Sequence, residues 1–219
     1  MLVAFDLDGT LVDSSGDLAD AGNALLAGYG ASPLPSKAVV AMVGDGAREL
    51  VRRLLTAGAL DVPLDEALER FLALYDERLL ATTVPYEGMP ALLDDLKSRA
   101  RLTVLTNKPI APTERILRGL GLREYFDDVI GGDSDFGRKP NPDGLFALMD
   151  RAAASAAETL MVGDSVTDLR TARAAGTAAC VARYGFGFAQ MPADELQGAA
   201  YLVDRPGEIA AVVSRFRAS

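Results

Sequence analysis

Residues 1–13, MLVAFDLDGTLVD, decide how the rest of this 219-residue chain is interpreted. Leu2 to Phe5 is a short, wholly apolar run, which predicts a strand buried on both faces of a sheet. The carboxylates of Asp6 and Asp8 follow at its C-terminal end, and Gly9 lets the backbone approach a ligand closely. In open α/β sheets, ligands bind at the edge formed by the C-terminal ends of the strands, so these residues favour a binding site. The alternative interpretation is an Asp-rich turn that only caps a helix.

Composition narrows the classes of function. The formal charge of -9 argues against a nucleic-acid or anionic-membrane partner, because basic residues supply the attraction in both cases. The sequence contains no histidine, which excludes Ser-His and Cys-His nucleophiles and His-ligated zinc. Catalysis must then rely on carboxylates, lysines or hydroxyl groups.

The cellular location is predicted from the cysteine content and from the first strand. Cys180 is the single cysteine and lies in the apolar run from Ala178 to Ala182, so we expect a buried thiol and no internal disulfide. The first predicted strand begins at residue 2, which leaves no room for a cleavable peptide. No apolar run approaches membrane-spanning length. We expect a cytoplasmic protein without membrane contact, either a monomer or a homodimer.

Residues 14–82 show helical periodicity and no convincing strand. The pattern predicts a first helix before a break at residues 28–35, then a short helix from Ser36, as its N-cap, to Met42 or Val43. Two longer helices follow the turn at residues 44–46, one carrying Leu50 to Leu55 and one running from Asp65 past Tyr75 to Leu79. We therefore predict an all-helical domain over residues 15–82.

Strand and helix patterns alternate after Gly88, which predicts a doubly wound parallel sheet, an α/β fold. The α/β core is expected to comprise residues 1–14 and 83–219. Its predicted strands are residues 102–105, 129–130, 160–162, 178–182 and 201–203, in addition to the first. Its predicted helices are residues 89–98, 113–120, a helix opened by residues 139–142, residues 167–175 and a terminal helix from Pro206.

Three of the predicted strands end in polar residues of related kinds. Besides the first strand, one is followed by Thr106 and Asn107 and another by Asp164 and, four residues later, Asp168. The carboxyl ends of parallel strands share one edge of a sheet, so these side chains should meet, with Lys139 entering from a loop. Each motif alone has an ordinary interpretation: a helix-capping turn, a solvated lysine or a turn residue. Their joint appearance after strands favours a site.

These motifs resemble the four signatures of the haloacid dehalogenase-like (HAD) superfamily, whose members are mostly magnesium-dependent phosphatases. The matching residues are D-L-D-G-T at 6–10, T-N at 106–107, K-P at 139–140 and G-D-S-V-T-D at 163–168. The resemblance implies a Rossmann-like core, and the helical insertion is similar to the C1 cap of the phosphoglycolate phosphatase group. Asp8 argues against the dehalogenase branch, which lacks this second carboxylate.

The resemblance also implies roles for the carboxylates. Asp6 would attack phosphorus and form an aspartyl-phosphate, and Asp8 would protonate the leaving oxygen and then deprotonate the attacking water. Asp8 needs a raised pKa for this, which its neighbours Asp6 and Asp164 are expected to supply. The carboxylates of Asp6 and Asp164, with the backbone carbonyl of Asp8, would hold Mg²⁺.

Further residues are implied in binding the phosphoryl group. Lys139 would add a fixed positive charge, and the Thr106 hydroxyl with the N–H groups of Asn107 and Gly9 would bind the remaining oxygens. Asp168 would orient Lys139 or a metal-bound water. If a helix began at Asp164, the two carboxylates of residues 164 and 168 would share one helix face.

The substrate prediction rests on the cap. Residues 42–50 resemble the cap loop of the phosphoglycolate phosphatase group, in which a Gly-x-Gly turn starts a helix that faces the site. The helix N-terminus at Gly46 and the Arg48 side chain would bind a small carboxylate, which suggests 2-phosphoglycolate or another small phosphorylated metabolite. The alternative is that Arg48 is an exposed helix residue, since three arginines crowd this helix.

Other functions stay open at this point. A phosphosugar mutase of the β-phosphoglucomutase kind would share the core and pass the phosphoryl group to a sugar hydroxyl instead of water. A pyrophosphate or nucleotide phosphatase is also compatible with the motifs. A catalytically silent phosphate-binding module is the alternative outside enzymes, and retention of all four motifs argues against it.

Overall fold

A computed structural model describes residues 1–196 and 201–216 of the chain. Six strands form one parallel sheet in the order β5-β4-β1-β6-β7-β8, and two short strands pair separately. The strands are β1 (Leu2–Phe5), β2 (Val12–Asp13), β3 (Val84–Pro85), β4 (Arg101–Leu105), β5 (Asp128–Ile130), β6 (Thr159–Gly163), β7 (Ala178–Ala182) and β8 (Tyr201–Val203). The prediction of a doubly wound parallel sheet is confirmed.

Helices cover both faces of the sheet, and four more helices form a separate segment between β1 and β4. The α-helices of the described residues are α1 (Ser15–Gly28), α2 (Ser36–Val40), α3 (Ala47–Ala57), α4 (Leu64–Asp76), α5 (Met89–Lys97), α6 (Ile110–Gly119), α7 (Asp143–Ala152), α8 (Val166–Ala175) and α9 (Ile209–Phe216). Short 3₁₀ helices lie at Arg123–Tyr125, Ala156–Glu158, Phe186–Gln190 and Pro206–Glu208. None of the helices within residues 1–196 and 201–216 is long and apolar enough to cross a bilayer.

Side-chain alternation in β1 explains why the sheet is covered on both sides. Val3 and Phe5 pack into the larger of two hydrophobic clusters, which includes residues of α5 and α9, whereas Leu2 and Ala4 pack into a second cluster with residues of α7 and α8. All four side chains of β1 are fully buried. A strand of this kind must lie inside a parallel sheet, and β1 indeed lies between β4 and β6.

The structure corrects several predicted boundaries. Ser36 lies inside α2 rather than capping it, because Pro35 holds the N-cap position, and α2 ends at Val40. The α4 helix ends at Asp76, so Leu79 lies beyond it although it is buried. Proline also sets the start of two core helices, since Pro109 and Pro142 immediately precede α6 and α7.

The antiparallel pair β2–β3 was not predicted. Val12 pairs with Pro85 and Asp13 with Val84, where the chain enters and leaves the helical segment of α1 to α4. Strands of two residues are too short to show a period in the sequence. They bring the two connections of the helical segment side by side.

Asp17 in the first turn of α1 fastens these two connections. Its Oδ1 accepts hydrogen bonds from the backbone N–H (2.9 Å) and hydroxyl (2.7 Å) of Thr82. Its Oδ2 accepts from the same two groups of Thr83, again at 2.9 and 2.7 Å. Burial acts to raise the pKa of Asp17, but the hydrogen bonds from Thr82 and Thr83 outweigh it and lower the pKa below its usual value.

We expect Asp17→Asn to lower the free energy of unfolding by about 2 kcal/mol at pH 7, because an amide nitrogen would face two of the four donors. Folding lowers the pKa of Asp17, so its ionised form stabilises the fold above the ordinary Asp pKa of about 3.9. That contribution disappears as the pH falls through the lower folded pKa, so the difference between wild type and variant should shrink below about pH 4.

Urea unfolding at pH 7 and pH 3 measures both effects. Asp20→Asn is the matched control, since Asp20 is an exposed acid on the same helix. Equal unfolding free energies for the two variants at pH 7 would contradict the assigned role of Asp17.

Candidate active site

The sheet order brings the predicted motifs together. Phe5, the last residue of β1, lies opposite Val104 of β4 and Val162 of β6, so the carboxyl ends of the three strands share one edge. Asp6, Asp164 and Asp168 meet there: a carboxylate oxygen from each lies within 4.8 Å of the others. All three residues are buried. The structure thus brings together side chains from positions nearly 160 residues apart, as the strand arrangement predicts.

Lys139 inserts its ammonium group into this cluster. The Nζ atom lies 2.8 Å from Asp6 Oδ1 and 2.6 Å from Asp168 Oδ1, and the side chain is almost completely buried. Lys139 precedes a cis proline, Pro140, in the loop before α7. Burial acts to lower the pKa of Lys139, but the carboxylates of Asp168 and Asp6 outweigh it and raise the pKa, so the ammonium stays charged.

Asp168 is held rigidly by the start of α8. Its Oδ2 accepts hydrogen bonds from the Ser165 backbone N–H (3.0 Å) and hydroxyl (2.7 Å), which form a capping box, while Oδ1 contacts Lys139. The expectation that residues 164 and 168 share a helix face is wrong, because α8 begins at Val166 and Asp164 precedes it. The two carboxylates meet through the turn instead.

The cluster carries more negative than positive charge. Burial raises the pKa of Asp6 to about 6, and the attraction of Lys139 opposes this rise. Burial also raises the pKa of Asp164 well above its usual range, and repulsion from Asp168 and Asp6 adds to the effect. A divalent cation with carboxylate oxygens as ligands would relieve this repulsion. The donor set therefore fits a divalent metal.

Asp164 also accepts a hydrogen bond that the sequence did not reveal. The Gly187 backbone N–H donates to Asp164 Oδ2 at 2.7 Å, from the 3₁₀ helix Phe186–Gln190. That stretch reads as a loop in the sequence, and a backbone donor leaves no signal in the residue type. Only the fold, which returns this segment over the sheet edge after β7, places the donor.

Gly9 is needed for its shape and not for its N–H group. Its N–H donates to the Val12 carbonyl at 2.9 Å, so the prediction that it binds a phosphoryl oxygen is wrong. Its φ is 86°, and a Cβ atom here would lie 2.0 Å from Asp164 Oδ2. Gly9 therefore permits the close approach of the β1 turn to Asp164.

Asp8 has a lysine partner that the sequence analysis missed. Lys108 Nζ lies 3.0 and 2.9 Å from the two carboxylate oxygens of Asp8, and the Ser14 hydroxyl donates to Oδ1 at 2.6 Å. The same Nζ donates to the Tyr75 hydroxyl at 2.7 Å. Burial acts to lower the pKa of Lys108, but Asp8 and Tyr75 outweigh it and raise the pKa. The only sequence feature that could have indicated this contact is the position of Lys108 directly after Asn107. It was not sufficient, because a loop lysine is usually solvated.

Thr106 and Asn107 link neighbouring loops at the site. The side-chain amide of Asn107 donates to the carbonyls of Gly44 and Lys139, both at 3.0 Å, so it joins the helical segment to the core. The Thr106 hydroxyl oxygen accepts the Lys108 backbone N–H at 3.2 Å. Both side chains are buried. The backbone N–H of Asn107 and the Thr106 hydroxyl proton remain the groups that can serve a phosphoryl oxygen.

A cavity between the sheet edge and the helical segment gives access to these groups. Its core side includes Asp6, Asp8, Asp164, Thr106, Asn107 and Lys108. Its helical side consists of Leu18, Val43, Gly44, Gly46, Ala47, Leu50, Phe71, Leu72 and Tyr75. Gly46 therefore lies where it was predicted to lie, at the start of α3.

Arg48 does not reach this cavity. Its Nη1 lies 2.5 Å from Asp65 Oδ1, and its side chain is 47% exposed. The hydrophobic face of α3, with Leu50, Val51 and Leu54 buried, turns Arg48 towards solvent. The predicted placement of Arg48 at the substrate is wrong.

The site consists of buried aspartates and a lysine at the carboxyl edge of a doubly wound parallel sheet, with the first aspartate directly after the first strand. A model of the haloacid dehalogenase-like hydrolase family matches residues 1–176, and the chain belongs to that family. The predicted family and enzyme class are confirmed.

Relatives of known name agree with this membership. The phosphoglycolate phosphatase of Rhodospirillum rubrum is 46% identical over 192 residues, which cover 84% of this chain and 80% of that protein. The phosphoglycolate phosphatase of Neisseria gonorrhoeae is 40% identical over 190 residues, with 84% and 80% covered. The crystal structure of a predicted phosphoglycolate phosphatase from Haemophilus somnus 129PT gives a TM-score of 0.90 at 28% identity and covers 96% of both chains.

We expect Gly9→Ala to destabilise the protein by at least about 2 kcal/mol, since the left-handed backbone alone costs about 1–2 kcal/mol and the new methyl would overlap Asp164. Thermal or urea unfolding measures the loss. Gly207→Ala is the control, because a Cβ atom there meets open space. If both variants unfolded alike, the close approach at Gly9 would not be a constraint.

Proposed function

We propose that the protein is a Mg²⁺-dependent phosphatase that hydrolyses a small phosphate monoester, 2-phosphoglycolate by preference, through an aspartyl-phosphate on Asp6. The observation that carries the proposal is the contact of buried Asp6 with Lys139 beside Asp164, on a cavity that Asp8 also lines. The names of the relatives from Rhodospirillum rubrum and Neisseria gonorrhoeae support the substrate.

Asp6 is oriented so that one oxygen is left to react. Its Oδ1 accepts the Leu7 backbone N–H at 2.7 Å and contacts Lys139 Nζ at 2.8 Å. These contacts leave Oδ2 as the oxygen that attacks phosphorus. The new Oδ2–P bond forms as the bond from phosphorus to the leaving oxygen breaks, which divides a difficult displacement into two easier ones.

Asp8 acts as the general acid in the first step and as the general base in the second. It gives a proton to the leaving oxygen in the first step, so that oxygen departs as a neutral hydroxyl group. In the second step a water molecule attacks the phosphoryl group and passes its proton to Asp8, which frees Asp6 and inorganic phosphate. The Ser14 hydroxyl and Lys108, which bind Asp8, fix the direction of its carboxyl group.

The carboxylates of Asp6 and Asp164, with the Asp8 backbone carbonyl, are the residues that would hold Mg²⁺. A bound ion would neutralise phosphoryl charge and so permit an anionic nucleophile to approach an anionic ester. Lys139 adds positive charge from the chain itself, while the Thr106 hydroxyl and the Asn107 N–H bind phosphoryl oxygens. Asp168 keeps the Lys139 ammonium in place through its 2.6 Å contact.

Asp6→Asn should reduce phosphate release at least about 1000-fold, because an amide oxygen is a poor nucleophile. Chelation of divalent metal should abolish the wild-type activity equally. Release of inorganic phosphate from 2-phosphoglycolate and from an aryl phosphate measures both. Asp61→Asn, at an exposed acid of the helical segment, is the control. Comparable rates for wild type and Asp6→Asn would overturn the nucleophile assignment.

The affinity for Mg²⁺ should rise with pH. The cation competes with protons for carboxylates, and the pKa of Asp6 without metal is raised to about 6. Asp6 is mostly protonated at pH 5 and mostly ionised at pH 7, so its titration alone should tighten binding about tenfold over that range. Isothermal titration calorimetry with Mg²⁺ as the titrant measures this affinity at each pH. An affinity that did not change between pH 5 and pH 7 would contradict binding at Asp6.

A further inference from the structure

We infer that Lys108 and Tyr75 bind a carboxylate on the leaving group of the substrate and so determine the specificity of the enzyme. This inference rests on the proposed phosphatase function. It assigns to these two residues the carboxylate-binding role that was predicted for Arg48.

The position of Lys108 relative to Asp8 carries the inference. Lys108 Nζ lies 2.9–3.0 Å from both oxygens of Asp8, the residue that gives its proton to the leaving oxygen. Any group attached one carbon from that oxygen therefore comes close to the Lys108 ammonium. A leaving group derived from a short 2-hydroxy acid carries its carboxylate at this distance.

All three donors of the Lys108 ammonium have acceptors, so a ligand carboxylate would replace one of its two contacts to Asp8. Two of its contacts go to the oxygens of a single carboxylate, Asp8, and one such contact is enough to keep the pair together. Among the described residues that line the cavity, Lys108 is the one with a cationic side chain. An anionic leaving group therefore meets no other cationic side chain among these lining residues.

Tyr75 offers a second donor beside Lys108. Its hydroxyl oxygen accepts the Lys108 hydrogen bond at 2.7 Å, so its own proton is available to a ligand oxygen. The ring is fixed by stacking on Phe71, with centroids 6.0 Å apart, and the Lys108 ammonium lies 4.5 Å from the centroid of the Tyr75 ring. Burial raises the pKa of Tyr75 to about 12, so the hydroxyl keeps its proton near neutral pH.

The rest of the helical side of the cavity favours a small acid over a sugar. Of the lining residues that the structure describes in α1 to α4 and their loops, Tyr75 alone has a polar side chain. A sugar would bring several hydroxyl groups that find no side-chain partner on this side, which is unfavourable for buried polar groups. This observation separates the protein from a phosphosugar mutase.

The test compares 2-phosphoglycolate with 2-hydroxyethyl phosphate, which has the same length and an alcohol in place of the acid. Steady-state kinetics with Mg²⁺ give the ratio of kcat/KM for the two esters. We expect wild type to prefer the acid about 100-fold or more, as expected for a site built around a charged partner. Lys108→Met should bring the ratio within about fivefold of one, and Lys108→Arg should retain most of the preference.

Tyr75→Phe tests the same inference while keeping the ring packing and both contacts between Lys108 and Asp8. We expect it to raise KM for 2-phosphoglycolate about tenfold with kcat little changed, and to leave KM for 2-hydroxyethyl phosphate within about twofold. Circular dichroism melting curves establish that each variant is folded. If Lys108→Met does not fold, the Tyr75→Phe measurement alone decides whether the carboxylate site exists.

The outcomes separate this inference from the function on which it rests. Equal losses on both esters in Lys108→Met and Tyr75→Phe would mean that the residues only position Asp8, and the carboxylate site would be overturned. A wild type that hydrolysed both esters equally well would overturn it too, while leaving the phosphatase intact. A wild type that released phosphate from neither these esters nor an aryl phosphate would overturn the proposed function itself.

Discussion

The ammonium group of Lys139, held between Asp6 and Asp168, is the interaction on which the site depends. Three buried carboxylates at one sheet edge repel each other and lose hydration, and a buried charge left without its partner costs about 3–5 kcal/mol. The fold offsets this cost by bringing charged and polar groups together from elements that are far apart in sequence. The central position of β1 sets Asp6 next to Asp164, the start of α8 fixes Asp168 through Ser165, and the loop before α7 supplies the lysine. The raised pKa values of Asp6 and Asp164 show that the compensation is incomplete, which is why the cluster suits a cation.

A second constraint is the attachment of the helical segment to the sheet edge. Asp17 fastens the two connections at its base through four hydrogen bonds to Thr82 and Thr83. Asn107 donates to the Gly44 carbonyl from the core side, and Lys108 donates to Tyr75. The contacts of Asn107 and Lys108 join residues that line the cavity, and apart from Tyr75 the lining side chains of the helical segment are apolar. In the proposed reaction this arrangement keeps bulk water from the phosphoryl group.

The features that the sequence predicts are those encoded locally. Apolar runs such as Leu2–Phe5 and Ala178–Ala182 define buried strands. Carboxylates that directly follow such runs lie at the sheet edge independently of the loop conformation. The failures concern contacts between distant segments. The N–H of Gly9 donates to the Val12 carbonyl. The apolar face of α3 directs Arg48 towards solvent. Lys108 is buried because it binds Tyr75 and Asp8. A residue's own type and spacing do not specify which distant partner it meets, so these outcomes required the fold.

The two buried lysines contact different carboxylates of the site. Lys139 contacts Asp6, the proposed nucleophile, and Lys108 contacts Asp8, the proposed acid and base. Each reactive carboxylate therefore has its own cation, and neither lysine has to serve both ends of the substrate. Phosphate monoesters differ mainly in the leaving group, so Lys139 faces the part that all of them share and Lys108 the part that varies. A change at Lys108 can then alter which ester is accepted while the contact of Lys139 with Asp6 stays intact.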